Sequence, residues 1–118
     1  MNWLLVFIGG GLGSISRFGL GKIFPYKQGF PWSTFWSNLL ACLIFSIVLL
    51  IMPKMSKANW MQALLLAGFC GGFSTFSTFS YDNYQLLTNG QYTIFALNVL
   101  VSLCAGIAVF AVVSRLNA

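Results

Sequence analysis

The sequence predicts an all-α membrane protein of four transmembrane helices, and three observations carry that prediction. Apolar residues fill 58% of the 118 positions and charged residues only 6%, against roughly 25% charged in an ordinary soluble domain. Six basic side chains and one acid cannot cover so much apolar surface in water, so the solvent is lipid. The apolar residues form four runs separated by short polar stretches, and none shows the period-two alternation of a membrane β-barrel. Each span needs about 20 residues, so four leave only short connections and no room for a soluble domain. The chain is therefore expected to be a single transmembrane domain, residues 1–118.

The first segment, residues 3–22, is glycine-rich at its centre, with Gly9, Gly10, Gly11 and Gly13 followed by Gly19 and Gly21. The four-residue spacing of Gly9 and Gly13 lets a second membrane helix approach closely. Arg17 lies about one turn inside Lys22. Two roles are open to it, snorkelling to the interface or a buried structural or functional one. Neither a basic n-region nor a small-residue cleavage site marks this segment as a signal peptide, so it is expected to stay in the mature protein. Pro25, Tyr26, Lys27, Gln28, Gly29 and Pro31 make the connection, all of them turn or interface residues.

The second segment, residues 32–52, stops at Pro53. Its first half carries Ser33, Thr34, Ser37 and Asn38, and Thr34 and Asn38, four apart, share a helix face. A short loop leads to the third segment, residues 60–87, which is longer than one span requires. In its middle stands Gly71-Gly72-Phe73-Ser74-Thr75-Phe76-Ser77-Thr78-Phe79-Ser80. Adjacent glycines weaken a helix by roughly 1 kcal/mol each relative to Ala, and five hydroxyls follow within seven residues. The helix is expected to break at Gly71-Gly72, with the interruption covering about residues 71–75. Inside hydrocarbon, unwound backbone survives only when buried in protein or lining a polar path, so the break reads as a place to meet an ion. Tyr81, Asp82, Asn83 and Tyr84 follow, where the polarity of water returns. Asp82 lies about ten residues beyond the break, roughly 15 Å along a helix, and is expected near the interface. The fourth segment, residues 92–115, is apolar except for Asn98 and Ser102, with Gly106 completing their stripe.

With four spans, Lys54, Lys57 and Arg115 share one side, and Lys22 and Lys27 the other, with Arg17 near them. That balance selects no orientation under the positive-inside rule. It arises either by accident in a short chain or because the protein inserts both ways and pairs head to tail. The basic residues are too scattered for a nucleic-acid surface. Cys42, Cys70 and Cys104 sit inside apolar runs and read as small buried hydrophobes. No His and no pair of acids is present, which leaves no acid–base machinery for an enzyme.

The polar groups within the membrane are Thr34, Ser37, Asn38, Ser74, Thr75, Ser77, Thr78, Ser80, Asn98 and Ser102. Singly, each reads as a helix-packing hydrogen bonder. Together they line faces of three segments, and neutral donors can replace an anion's hydration shell without trapping the ion. Phe76 and Phe79, three apart, lie among these hydroxyls. They serve either ordinary packing or, through their positive ring edges, contact with a small anion.

The string Gly71 to Ser80 resembles the signature of the Fluc (CrcB-type) fluoride channels. Gly10-Gly-Leu-Gly-Ser-Ile-Ser-Arg17, Thr34 with Asn38, and Asn98 with Ser102 agree with it, so the resemblance covers all four segments. It implies an antiparallel, dual-topology homodimer in the bacterial inner membrane, with two pores that export cytoplasmic fluoride passively. It also implies a structural sodium ion at the dimer interface, held by the backbone carbonyls of Gly71 and Ser74. By the same resemblance Phe76 and Phe79 are aromatic pore residues and Asn38 is a pore donor. Ser77, Thr78 and Ser80 form a hydroxyl track, Thr34 and Ser102 are pore or vestibule contacts, and Arg17 is the family's structural arginine. Asn98 stands where some relatives carry Tyr, and Asp82 where some carry Glu. Two other readings are a small dual-topology exporter of organic cations, which needs a membrane-embedded acid, and a non-conducting scaffold subunit.

Overall fold

The computed structural model describes residues 2–26, 29–57 and 59–116. Lys27 and Gln28, placed above in a turn, lie outside the described residues, so Lys27 stays in the charge count on sequence grounds alone. Helix α1 is Asn2–Ile23 and α2 is Trp32–Ile51, closed by a 3-10 turn, Met52–Lys54, that contains Pro53. The third span, Asn59–Thr88, divides into α3 (residues 59–73) and α4 (Phe76–Thr88), and α5 is Tyr92–Arg115. All four spans are long and apolar enough to cross a membrane. At 1.5 Å per residue, α1, α2 and α5 extend about 33, 30 and 36 Å, which matches a hydrocarbon core of about 30 Å. No strand occurs among the described residues.

Helix α4 ends in a Schellman motif. Gly90 takes positive φ (75°), its N–H donates to the Leu87 carbonyl, and the Gln91 N–H donates to the Leu86 carbonyl. A left-handed residue at this position reverses the chain at little steric cost only when it is glycine, so α5 starts two residues later.

Helix α1 packs along α3, and α2 along α5, while α4 leans on α5. The α1–α3 contact is backbone on backbone. Gly9 and Gly13 are buried, and a Cβ on either would collide with the Leu64 or Phe69 carbonyl. A Cβ on Gly72 would strike the Gly10 carbonyl. Lipid supplies no hydrophobic drive between helices, so dispersion across such close approaches holds the pair. Within α3, Gln62–Cys70 is π-helical, and the Gly71 N–H bonds the Leu66 carbonyl five residues back. Such winding is rare beyond a single turn. Here it coincides with the stretch that α1 covers.

The break falls at the far end of the expected interruption, residues 71–75, and not at the glycines themselves. Gly71 and Gly72 are helical, within Gly71–Phe73, and Ser74 and Thr75 leave helical geometry instead. The physical reason is that Gly72 serves close approach to α1. The hydroxyl residues that follow can supply new partners for an opened backbone, which glycines cannot.

The molecule is flat, with extents of 52 × 33 × 20 Å. Among the described residues the fully buried side chains are few, led by Leu86 and Asn98, and Phe7, Ile15, Phe76 and Ile107 are exposed. Gly13→Val should lower stability by about 1–3 kcal/mol or prevent folding, whereas Gly11→Ala, which faces open space, should melt at or slightly above the wild-type temperature. Thermal melting of the detergent-solubilised protein checks both, and equal melting of the two variants would refute the packing account.

Candidate functional site

The site is built around the opened backbone of Ser74 (φ −81°, ψ 157°) and Thr75 (φ −153°, ψ 119°). Asn38 on α2 lays its side-chain amide along Thr75. Its Oδ1 accepts from the Thr75 N–H at 2.7 Å, and its Nδ2 donates to the Thr75 carbonyl at 3.4 Å. Thr75 caps α4, its Oγ1 accepting from the Thr78 N–H at 3.2 Å. Ser74 donates both its N–H (2.9 Å) and its hydroxyl (2.7 Å) to the Cys70 carbonyl. Arg17 is half-buried and donates from Nε to the Gly72 carbonyl at 3.1 Å. Of the two roles open to Arg17, the geometry supports the inward structural one.

The break takes the helical donors from four carbonyls, Gly71 to Ser74, of which that of Gly72 gains Arg17. In an unbroken helix the Thr75 N–H would reach the Gly71 carbonyl and the Thr78 N–H the Ser74 carbonyl. The first goes instead to Asn38 and the second to Thr75 Oγ1. Gly71 and Ser74 border one cavity of about 160 Å³ whose other lining side chains are apolar or thiol, from Ala41, Cys42, Phe45, Leu66, Cys70 and Phe110, so the only oxygens it offers free of a helical donor are theirs. Carbonyl oxygens of this kind suit a hard cation. The break also sets the negative C-terminal end of α3 beside the positive N-terminal end of α4.

Two larger clefts flank the break. The first, about 410 Å³, brings together Asn38, Phe76, Phe79 and Ser102, with Ser74 and Thr75 at its edge. The second, about 300 Å³, is lined by Arg17, Lys22, Thr34, Ser37, Thr75 and Thr78. Thr75 borders both. The hydroxyls of α4 do not form one face: Thr78 meets the second cleft, whereas Ser77 and Ser80 lie on the exposed side with Tyr81 and Tyr84.

Helix α4 is fixed by polar side chains. Thr34 donates to Asp82 Oδ2 at 2.7 Å, Asn98 Nδ2 donates to Asn83 Oδ1 at 2.7 Å, and the Ser102 hydroxyl donates to Asn98 Oδ1 at 3.1 Å. Asp82 is therefore buried, 7% exposed, against its neighbouring helices. The Tyr26 phenol is pushed above its ordinary pKa, first by burial and then by Asp82.

Thr75 and Asn83 carry structural weight that sequence reasoning did not assign. A cue for Thr75 exists, because Thr just before a helical run is a favoured N-cap. For Asn83 no such cue exists: its partner lies fifteen residues away on another helix.

The family model described as CrcB-like protein, Camphor Resistance (CrcB), matches residues 4–114. A protein of Phocaeicola vulgatus named fluoride-specific ion channel FluC is 41% identical over 107 residues, covering 88% of each chain. Proteins with the same name from Leptospira interrogans and Coxiella burnetii are 40% and 37% identical. The matches cover 88% and 92% of this chain, and 84% and 90% of theirs.

Thr75→Val should cost about 1 kcal/mol through loss of the cap. Asn38→Ala should cost about 1–3 kcal/mol because it strands two backbone groups. Their double mutant should fall short of the sum, since Asn38 holds the backbone of the residue whose side chain caps α4. Melting of the four proteins in detergent measures this, and strict additivity would count against a shared network.

Proposed function

This chain belongs to the CrcB-like family, and on that premise we propose that it is a fluoride-selective channel through which cytoplasmic fluoride leaves passively across the bacterial inner membrane. The observation that supports this best is the cleft that gathers Asn38, Phe76, Phe79 and Ser102 beside the N-terminus of α4. Fluoride is small, strongly hydrated and a strong hydrogen-bond acceptor. Neutral amide and hydroxyl donors can replace its hydration shell and still release it. The positive edges of the Phe76 and Phe79 rings and the positive end of α4 add attraction without a fixed charge. Chloride, larger and a weaker acceptor, gains less from the same narrow path. The second cleft, with Arg17 and Lys22 among its hydroxyls, serves as the vestibule that gathers anions, and Thr34 and Thr78 continue it toward the pore.

A slab 20 Å thick is too slim to enclose a path alone. The balanced basic residues and the exposed Phe76 (81%) suit an antiparallel second copy, which would close one pore on each side of a two-fold axis. The Gly71 and Ser74 carbonyls would hold a sodium ion at that interface. When bound, the ion supplies a positive charge that joins the opposed breaks. Direction of transport needs no coupling: HF enters from an acidic medium, dissociates inside, and fluoride leaks outward. The cation-exporter reading gains nothing from Asp82, whose Oδ2 is bonded by Thr34.

Phe76→Ile and Asn38→Asp should each reduce fluoride efflux from proteoliposomes about tenfold or more, the equivalent of about 1.4 kcal/mol of lost ion stabilisation. Chloride flux should be negligible throughout, and the proteins should keep their oligomeric size. Unchanged fluoride flux in both variants would overturn the pore assignment. Protein purified with sodium replaced by a large organic cation should lose fluoride flux and regain it when sodium is restored. Full activity without sodium would remove the ion from the account.

A further inference from the structure

We propose that Asn38 sets the sodium affinity of the joint without touching the ion, as a positioning residue that links the cation site to the anion path. That role presupposes the cation joint described above and adds what creates it. A Gly71 carbonyl in a continuous helix would be occupied by the Thr75 N–H. Asn38 Oδ1 takes that N–H at 2.7 Å, so the carbonyl is open to a cation only while the Asn38 amide is in place. Asn38 Nδ2 bonds the Thr75 carbonyl as well. Gripped on both sides like a residue in a β-ladder, Thr75 is held extended and cannot swing its N–H back to Gly71. The Ser74 carbonyl depends on the same grip, because its helical donor, the Thr78 N–H, is drawn to Oγ1 of the Thr75 that Asn38 pins.

The amide also borders the cleft with Phe76 and Phe79. Nδ2 carries two hydrogens; the Thr75 carbonyl takes one, and the other remains for an anion. One side chain thus serves both ions. Linkage then requires reciprocity: sodium in the joint favours fluoride in the cleft, and fluoride favours sodium by the same factor.

The test is sodium-dependent melting of purified protein prepared without sodium, with choline keeping ionic strength constant. A ligand that binds only the folded state raises the melting temperature as its concentration passes its dissociation constant. The wild type should show such a rise. Asn38→Leu, which removes both amide groups at similar volume, should need about tenfold more sodium or more for the same rise. Asn38→Asp keeps the acceptor for the Thr75 N–H but loses the donor to its carbonyl, and should respond to sodium more sensitively than the Leu variant, although its fluoride efflux falls. If Asn38→Leu does not fold, Asn38→Ala replaces it with the same expectation. A wild-type sodium response in the Leu or Ala variant, or a response in Asp as weak as theirs, overturns the role of Asn38 and leaves the sodium joint standing. No sodium response in the wild type overturns the joint and this role with it.

Discussion

The structure depends on the side chain of Asn38 laid against the backbone of Thr75. A helix crossing hydrocarbon cannot open for free, because each unpaired N–H or C=O there costs several kcal/mol. The third span opens because partners arrive from elsewhere: Asn38 from α2 for both polar groups of Thr75, Arg17 from α1 for the Gly72 carbonyl, and Thr75 itself for the Thr78 N–H. Three elements must be assembled before the break is tolerable. The break is thus a tertiary property, and the α1–α3 and α2 placements come before it in the logic of the fold.

The two halves of the third span are held by different physics. Helix α3 meets α1 through glycine, backbone to backbone, with a widened π-helical stretch as its surface. Helix α4 buries Asp82, Asn83 and Leu86 and is fixed by Thr34–Asp82 and Asn83–Asn98. Interhelical hydrogen bonds in membranes average only about 0.6 kcal/mol, and close packing of small residues resists displacement more steeply. The half carrying Phe76 and Phe79 is therefore held less stiffly than the half carrying Gly71 and Gly72.

Four spans and an all-helical class were legible because composition and run length alone dictate them. The glycine contacts of α1 were legible too, since Gly9 and Gly13 at four-residue spacing have one common use in lipid. The break lies within the expected stretch but at Ser74 and Thr75, not at Gly71 and Gly72: glycine weakens helices and also lets them touch, and nothing local says which use applies. The pairings that build the site, Asn38 with Thr75 and Thr34 with Asp82, join residues 37 and 48 positions apart. No periodicity within one helix encodes such pairs. Motif resemblance gathered Asn38, Phe76, Phe79 and Ser102 into one functional set, and the fold places them around one cleft. It grouped Ser77, Thr78 and Ser80 as well; of these Thr78 borders the second cleft, and Ser77 and Ser80 are exposed in the single chain.

The α1–α3 seam has a consequence for inheritance. Glycine codons all begin with two guanines, so every single-base change that alters the residue installs a bulkier one or a stop. At Gly9, Gly13 and Gly72 the space for even one carbon is filled by a facing carbonyl. These positions have no tolerated residue-changing neighbours in codon space, whereas at Gly11 and Gly19, which face nothing within 4 Å, a small side chain meets no clash within the chain. The seam is written in missing atoms, and its history should be one of stasis beside latitude on the same helix.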